Sequence, residues 1–320
     1  MATRAIYVPL IRTAAHDSAE RRRLQRDVHR GLLAVVRPGV FVEQAAFTAL
    51  RPEEAHLLLV RATAPRIRPP ARISHLSAAA VHGLPYIGDP QSRVDLVDPR
   101  RGKTETTAMT RVRPDQSGAD HRHERWAAVP SVQDVDCDGA GVTSLVRTLV
   151  DVAAVAPLMT SLPMLDAALQ ARTVWPEMLE FELARGSREQ TARASFAVRA
   201  ESALSGSPAE SVCRVRFRQL STPEPLQQHE FRRAGEQTAV VDFWFPVQGV
   251  VVEVDGRGKY EDPDLLGAST TADAYWREKR REDFVRSFPE VRFVVRLSWS
   301  DLMHPERVRQ ALRRAGVPCR

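Results

Sequence analysis

The stretch 238–255, TAVVDFWFPVQGVVVEVD, constrains the chain most. Two runs of β-branched and aromatic residues flank Pro246–Gly249. Such runs, bounded by turn residues, predict strands over 238–245 and 250–255, paired antiparallel through a short connection. Helical patterns cover 207–217, 271–287 and 305–315, and a third apolar run, 291–297, predicts another strand. The order helix, strand, strand, helix, strand, helix makes the last part of the chain an α/β domain.

Three acids interrupt the two central strands: Asp242 in the first, Glu253 and Asp255 in the second. Residues two apart on a strand share a face, about 7 Å apart, so Glu253 and Asp255 project together. Antiparallel pairing can set Asp242 beside them. Three carboxylates on one patch repel unless something neutralises them. A hard divalent cation, Mg²⁺ or Mn²⁺, does so with oxygen ligands, and there it could activate water and stabilise a transferring phosphoryl group. Plainer roles fit the same residues. Asp242 could sit beside a turn, Glu253 could pair with an arginine, and Asp255-Gly256 is a common turn dipeptide.

Lysine is scarce here, with three residues among 46 basic ones, and two of the three, Lys259 and Lys279, follow the acids closely. Lysine is a compact point charge whose pKa shifts readily, unlike that of arginine. Either could offset charge on a scissile phosphate. The net charge of +6 and the pI of about 9.7 are compatible with a nucleic-acid partner.

The first half opens on a basic helix at 16–31, HDSAERRRLQRDVHRG, with Asp17 or Ser18 as cap and Gly31 as stop. Arg21, Arg22, Arg23, Arg26 and Arg30 cover much of its surface. LLAVVRPGVFVE follows, a hairpin signal with Arg37-Pro38-Gly39 at the turn. Helix plus hairpin is the recognition half of a winged helix-turn-helix. Those five arginines and Arg37 on the wing are the candidate DNA contacts, since a guanidinium pairs with phosphate or with a guanine edge. A solvated charged face explains the helix equally well.

Further helices are expected at 52–62, after Pro69-Pro70, across 142–171 with breaks at Pro157 and Pro163, and across 176–204 with a break at Gly186. Short strands are expected at 92–99 and 109–113. A chain of 320 residues suggests two or three domains. The boundaries expected are 1–50 winged-helix-like, 51–175 an α/β middle region, 176–206 a helical linker and 207–320 the last domain. No apolar run approaches the roughly 18 residues of a membrane helix. Three scattered cysteines form no disulfide framework, and no signal peptide is expected at the start. A cytoplasmic, reduced setting without a membrane partner is therefore predicted. Ser74 and Ser77 read as capping serines, Arg147 and Asp151 as an ion pair four apart on a helix, and His121-x-His123 with Cys137 as a weak metal pattern.

Val241–Tyr260, the helix 277–283 (REKRRED) and the run VRFVVRLSWSDLMHPERV resemble the very-short-patch-repair endonucleases of the PD-(D/E)XK superfamily, over roughly 207–315. The resemblance implies a mixed sheet flanked by helices and metal-dependent phosphodiester hydrolysis of DNA. It implies Asp242 and Glu253 or Asp255 as metal ligands and Glu210 as a supporting acid. One departure stands out. The superfamily pattern places lysine two residues after the second acid, and here Asp255 stands there. Lys259 or Lys279 would have to supply the ammonium. Without it, the domain would bind DNA without cutting it.

RGLLAVVRPGVFVE, ISHLSAAAVHGLP, VTSLVRTLVDVAA and LDAALQAR resemble the AbiE-type antitoxins over roughly 16–171. That resemblance implies a transcriptional regulator of a toxin-antitoxin or phage-defence system. Its partners would be DNA, a cognate toxin or defence-system protein, and a second copy of the chain.

Overall fold

In a computed structural model the chain divides into two compact units, Met1–Glu201 and Ser202–Arg320. The structure describes residues 8–13, 17–89, 91–115, 126, 128–185, 188–235, 238–255 and 271–320, with backbone alone at 188–190 and 271–278. Both units combine helices with sheets, so the chain is α/β and multi-domain. No helix among the described residues is long and apolar enough to cross a membrane.

The first unit starts with β1 (Ile11–Arg12), the basic helix α1 (Ser18–His29), and strands β2 (Leu33–Arg37) and β3 (Val40–Glu43). Asp17 caps α1, accepting from the N–H groups of Ala19 and Glu20 at 2.8 Å each, and Glu20 returns to the Asp17 N–H. This capping box satisfies donors that a helix start otherwise leaves open. The three strands form an antiparallel sheet in the order β1-β3-β2. Next come α2 (Gln44–Thr48) and α3 (Pro52–Thr63), which enters with proline in its first turn.

A six-stranded mixed sheet follows, built from β4 (Arg72–Ile73), β5 (Val94–Asp98), β6 (Glu105–Thr106), β7 (Thr110–Pro114), β8 (Val135–Cys137) and β9 (Ala140–Val142). Its order is β6-β7-β5-β4-β9-β8. Helix α4 (His75–Val81) leads from β4, and four helices close the unit: α5 (Leu145–Val155), α6 (Leu158–Gln170), α7 (Pro176–Leu183) and α8 (Arg188–Arg199). Pro163 lies inside α6 and does not end it.

The linker expected over 176–206 is corrected. Met178, Leu179 and Leu183 of α7 and Ala194, Ala197 and Val198 of α8 are buried with Leu149, Val152 and Leu165 in one core. Burying that apolar surface is worth roughly 25 cal/mol per Å², so these helices belong to the first unit.

The second unit runs α9 (Pro208–Gln219), β10 (Leu226–Arg232), β11 (Thr238–Phe245), β12 (Val250–Asp255), α10 (Thr271–Arg286), β13 (Phe293–Ser298), α11 (Trp299–Leu302) and α12 (Pro305–Arg314). Its sheet is β10-β11-β12-β13, antiparallel except for the parallel pair β12–β13. Strand β10 was not expected. It is an edge strand, and its sequence LQQHEFR is mostly polar with one buried residue, Phe231.

Helices cover both faces of this sheet. Phe217 of α9 meets Phe243 and Phe245 edge-on at 5.1 and 5.4 Å. Phe284 and Val285 of α10 pack with Trp244 and Val251. The β11–β12 turn closes at Gly249, whose φ of +69° suits glycine and where a Cβ would meet the Glu290 carbonyl at 2.6 Å. The Gly249 carbonyl accepts from the N–H groups of Arg292 and Phe293, which ties the turn to the start of β13.

Candidate functional site

Strands β11 and β12 pair from Phe245–Val250 to Phe243–Val252. At the next position a side chain replaces the ladder: Asp242 Oδ2 accepts the Val254 N–H at 2.7 Å. Alternation along β11 also breaks here. Val241 packs on the α10 side with Phe284, whereas Phe243, two residues on, faces Phe217 of α9. Opposite Asp242, between the pairs Gln227–Phe243 and His229–Val241, Gln228 takes a φ of +48°. Irregularities of this kind re-aim side chains beside functional sites.

The acids expected on one patch are thereby brought to one end of the sheet but not onto one face. Asp242 reaches across to the backbone of β12. Glu253 lies on the α10 side, where Arg281 Nη1 donates to its Oε1 at 3.1 Å and to the Val240 carbonyl at 2.9 Å. Asp255 is exposed at the strand end, held in register with Ser298 of β13. Arg296, in register with Glu253, pairs with Glu282 at 2.7 Å. Lys279 and Arg280 are exposed on α10, and Lys259 lies outside the described residues.

Glu210 is buried and occupied. It accepts from the Gly206 N–H and the Ser207 hydroxyl at 2.8 Å each and from Gln228 Nε2 at 3.0 Å. It therefore completes the capping of α9 and ties that helix to the strand facing Asp242. Burial, and then the charges of Asp242 and Glu210, push the Cys213 thiol of α9 up.

The donor chemistry suits a hard cation, since carboxylate oxygens are what Mg²⁺ prefers. Asp242 Oδ2 and Glu253 Oε1 already have partners within the unit, however. Among the described residues no three His, Cys, Asp or Glu side chains are grouped to hold a metal. A cation at this end would draw on Asp255 and would require Arg281 to release Glu253.

In the first unit, Arg21, Arg22, Arg23, Arg26 and Arg30 are all exposed on α1, and Leu24 and Val28 are half-buried. The Asp27 carboxylate approaches Arg23 and Arg30 only at 3.9 and 4.0 Å, and exposed pairs of this kind are worth about 0–1 kcal/mol. Arg21 Nε donates to the Thr13 carbonyl at 3.0 Å and Arg22 Nε to the Ser18 carbonyl at 3.2 Å. Arg37, the wing residue expected to contact DNA, differs from these five in being only 7% exposed. A register shift between Val35 and Arg37 turns its side chain inward.

Sequence reasoning missed a buried polar network in the same unit. Arg147 meets Asp151 at 2.9 Å, as expected, and also Asp115 at 3.1 Å. Arg72 joins Asp115 to Asp134, and Arg113 holds Asp95 at 2.7 Å. Ser74 stands at the N-cap position of α4 as expected, but neither its hydroxyl nor that of Ser77 makes a capping hydrogen bond. Ser74 Oγ lies 2.9 Å from His75 Nδ1, while Ser77 Oγ lies 2.9 Å from His56 Nε2 and accepts the Asp95 N–H at 2.8 Å. His75 itself sits at a φ of +51°, a region most side chains avoid. Spacing along the chain carries no signal for contacts between such distant residues. His121 and His123 lie outside the described residues, and the Cys137 thiol is pushed up to about 11, chiefly by burial.

Comparison with protein-family models, with curated proteins and with solved structures finds no match for this chain.

Two outcomes are expected. Asp242→Ala leaves the buried Val254 N–H without an acceptor and should lower stability by about 1–3 kcal/mol in urea unfolding. Asp242→Asn, which keeps an acceptor oxygen, should lose less, and amide exchange at Val254 should accelerate only in the alanine variant. The second concerns pH. Burial, then the charge of Arg113, lowers His75 to about 3 from its ordinary 6.5. Between about pH 3 and 6.5 the imidazole is neutral in the fold but charged in the unfolded chain, so its contribution is complete above about pH 6.5 and falls as pH drops toward 3. The slope is about 1.4 kcal/mol per pH unit per proton. His75→Asn, which tolerates the backbone, should flatten the stability profile between pH 6 and 4 by roughly that slope.

Proposed function

We propose that the protein acts on DNA, with its second unit a metal-dependent endonuclease of the PD-(D/E)XK kind. The observation that carries this reading is the end of β12. Asp242 grips the Val254 backbone between Glu253 and Asp255, so three acidic residues stand at one end of the sheet where the strands part. The flanking α10 presents Lys279, Arg280 and Arg281. The mixed sheet with helices on both faces supports the same reading.

A divalent cation held by Asp242, Glu253 and Asp255 would supply a water nucleophile and offset phosphoryl charge. The chain's own part is positional. Asp242 fixes the strand end, Arg281 would hand Glu253 over to the cation, and the cations of α10 attract the backbone of the nucleic acid. The arginines of α1 add phosphate contacts that set register without reading sequence. A cytoplasmic location goes with this reading.

A second reading has its own observation. Glu253 is neutralised by Arg281 and Asp242 is used by the fold, while Asp255 stands where the superfamily pattern has lysine. Under it, the protein is a non-catalytic regulator of the antitoxin kind, binding DNA and a cognate toxin or defence-system protein, with a second copy of the chain as a further partner.

Nicking of supercoiled plasmid with Mg²⁺ or Mn²⁺, beside a gel shift on the same DNA, separates the two. The endonuclease reading expects metal-dependent nicking that Asp255→Ala reduces at least about 100-fold while binding persists, as loss of a metal ligand would. Salt-sensitive binding with no nicking at any metal concentration supports the regulator and removes the enzyme.

A further inference from the structure

The antiparallel sheet β1-β3-β2 carries an unusual arrangement of charge. Arg12 on β1 and Arg37 on β2 are both in register with Val40 of the central strand. Residues directly opposite one another share a face, so the two guanidinium groups rise from the same side of the sheet, two strand spacings or about 10 Å apart at the backbone. Val40 between them is buried.

The far end of α3 meets this face. Arg12 donates to the carbonyls of Ala62 and Arg61 at 3.2 and 3.0 Å, capping the last turn. The chain then makes a single 3-10 turn, Ala64–Arg66, which brings a third arginine alongside. The charges acting on Arg37 are those of Arg66 and Arg12.

Arg12 thus has partners, and Arg66 is exposed to water. Arg37 has neither advantage. It is 7% exposed, and its buried Nε and Nη1 have no hydrogen-bond partner among the described residues. A guanidinium stays charged in proteins and carries five donors. Burying one unpaired among like charges is strongly unfavourable. Almost every other buried polar side-chain atom among the described residues is satisfied, the exceptions being Gln227 Oε1 and Arg309 Nε. Burial and the two neighbouring cations also lower the Arg37 pKa, the direction expected of a cation lacking its counter-charge.

We propose that Arg37, with Arg12 and Arg66, forms a receptor for a phosphate-type oxyanion in the first unit. Arg37 supplies the buried donors, Arg66 the charge at the mouth, and Arg12 the wall fixed to α3. Three guanidinium groups favour a multiply charged oxyanion over a single carboxylate. The anion is either a free phosphate or a phosphate of the DNA backbone. The second source rests on the DNA-binding reading, and the first does not.

Thermal unfolding of the full chain in inorganic phosphate, against chloride of matched ionic strength, is the test. Wild-type protein should gain about 2–5 °C in the Tm of the first unit at tens of millimolar phosphate. Arg37→Met should lose that gain, and its Tm in chloride should equal or exceed that of wild type, because an unpaired buried charge has gone. Arg66→Ala, at an exposed position, should keep the wild-type Tm in chloride and lose most of the gain. It decides the matter if the methionine variant does not fold. A gain that is absent in wild type, or unchanged in the variants that fold, overturns the receptor.

Anisotropy of a labelled 20-base-pair duplex identifies the source. If the anion is a DNA phosphate, inorganic phosphate competes, and Arg37→Met lowers the slope of log affinity against log salt by about one. If it is a free phosphate, duplex affinity is the same in both proteins. A phosphate gain with no duplex binding keeps the receptor and removes the DNA reading.

Discussion

The second unit turns on one hydrogen bond, from the Val254 N–H to the Asp242 carboxylate. A sheet normally satisfies such a donor with a backbone carbonyl, and a buried amide left without an acceptor costs about 1–3 kcal/mol. Here a charged side chain takes the place of the ladder. The substitution lets β11 and β12 part company without stranding a buried donor. Beyond that point β12 is held by its parallel neighbour β13, through to Asp255 and Ser298. The strand end that carries Glu253 and Asp255 is therefore fixed on both sides, and one of its two supports is itself a candidate catalytic acid.

Much of this architecture is legible in the sequence. The expected strands 238–245 and 250–255 coincide with β11 and β12, because continuous β-branched runs bounded by a turn leave little choice. The basic helix and its hairpin are equally plain, since Asp17, Glu20 and Gly31 mark the helix ends. Edge strand β10 was illegible for the opposite reason. At the edge of the sheet and with only Phe231 buried, LQQHEFR has no apolar periodicity to betray it.

The side-chain directions were the harder part. Antiparallel pairing put Asp242 beside Glu253 and Asp255, and the irregularity opposite Gln228 breaks the regular alternation of β11 at that residue. A hairpin turn put Arg37 in water, and a register shift of one residue buried it. In both cases the period-two rule holds along most of the strand and fails at one position. The span expected to be a helical linker failed in another way, since α7 and α8 each carry an apolar stripe into the core of the first unit.

The proposal that depends most on this strand end is that its carboxylates hold a divalent cation. Electron paramagnetic resonance of Mn²⁺ titrated into the full chain tests it without reference to any DNA substrate. The account predicts one bound ion per chain, lost in the double variant Glu253→Gln/Asp255→Asn while the fold persists. Absence of binding in the wild-type chain, or binding that the double variant leaves intact, would contradict it.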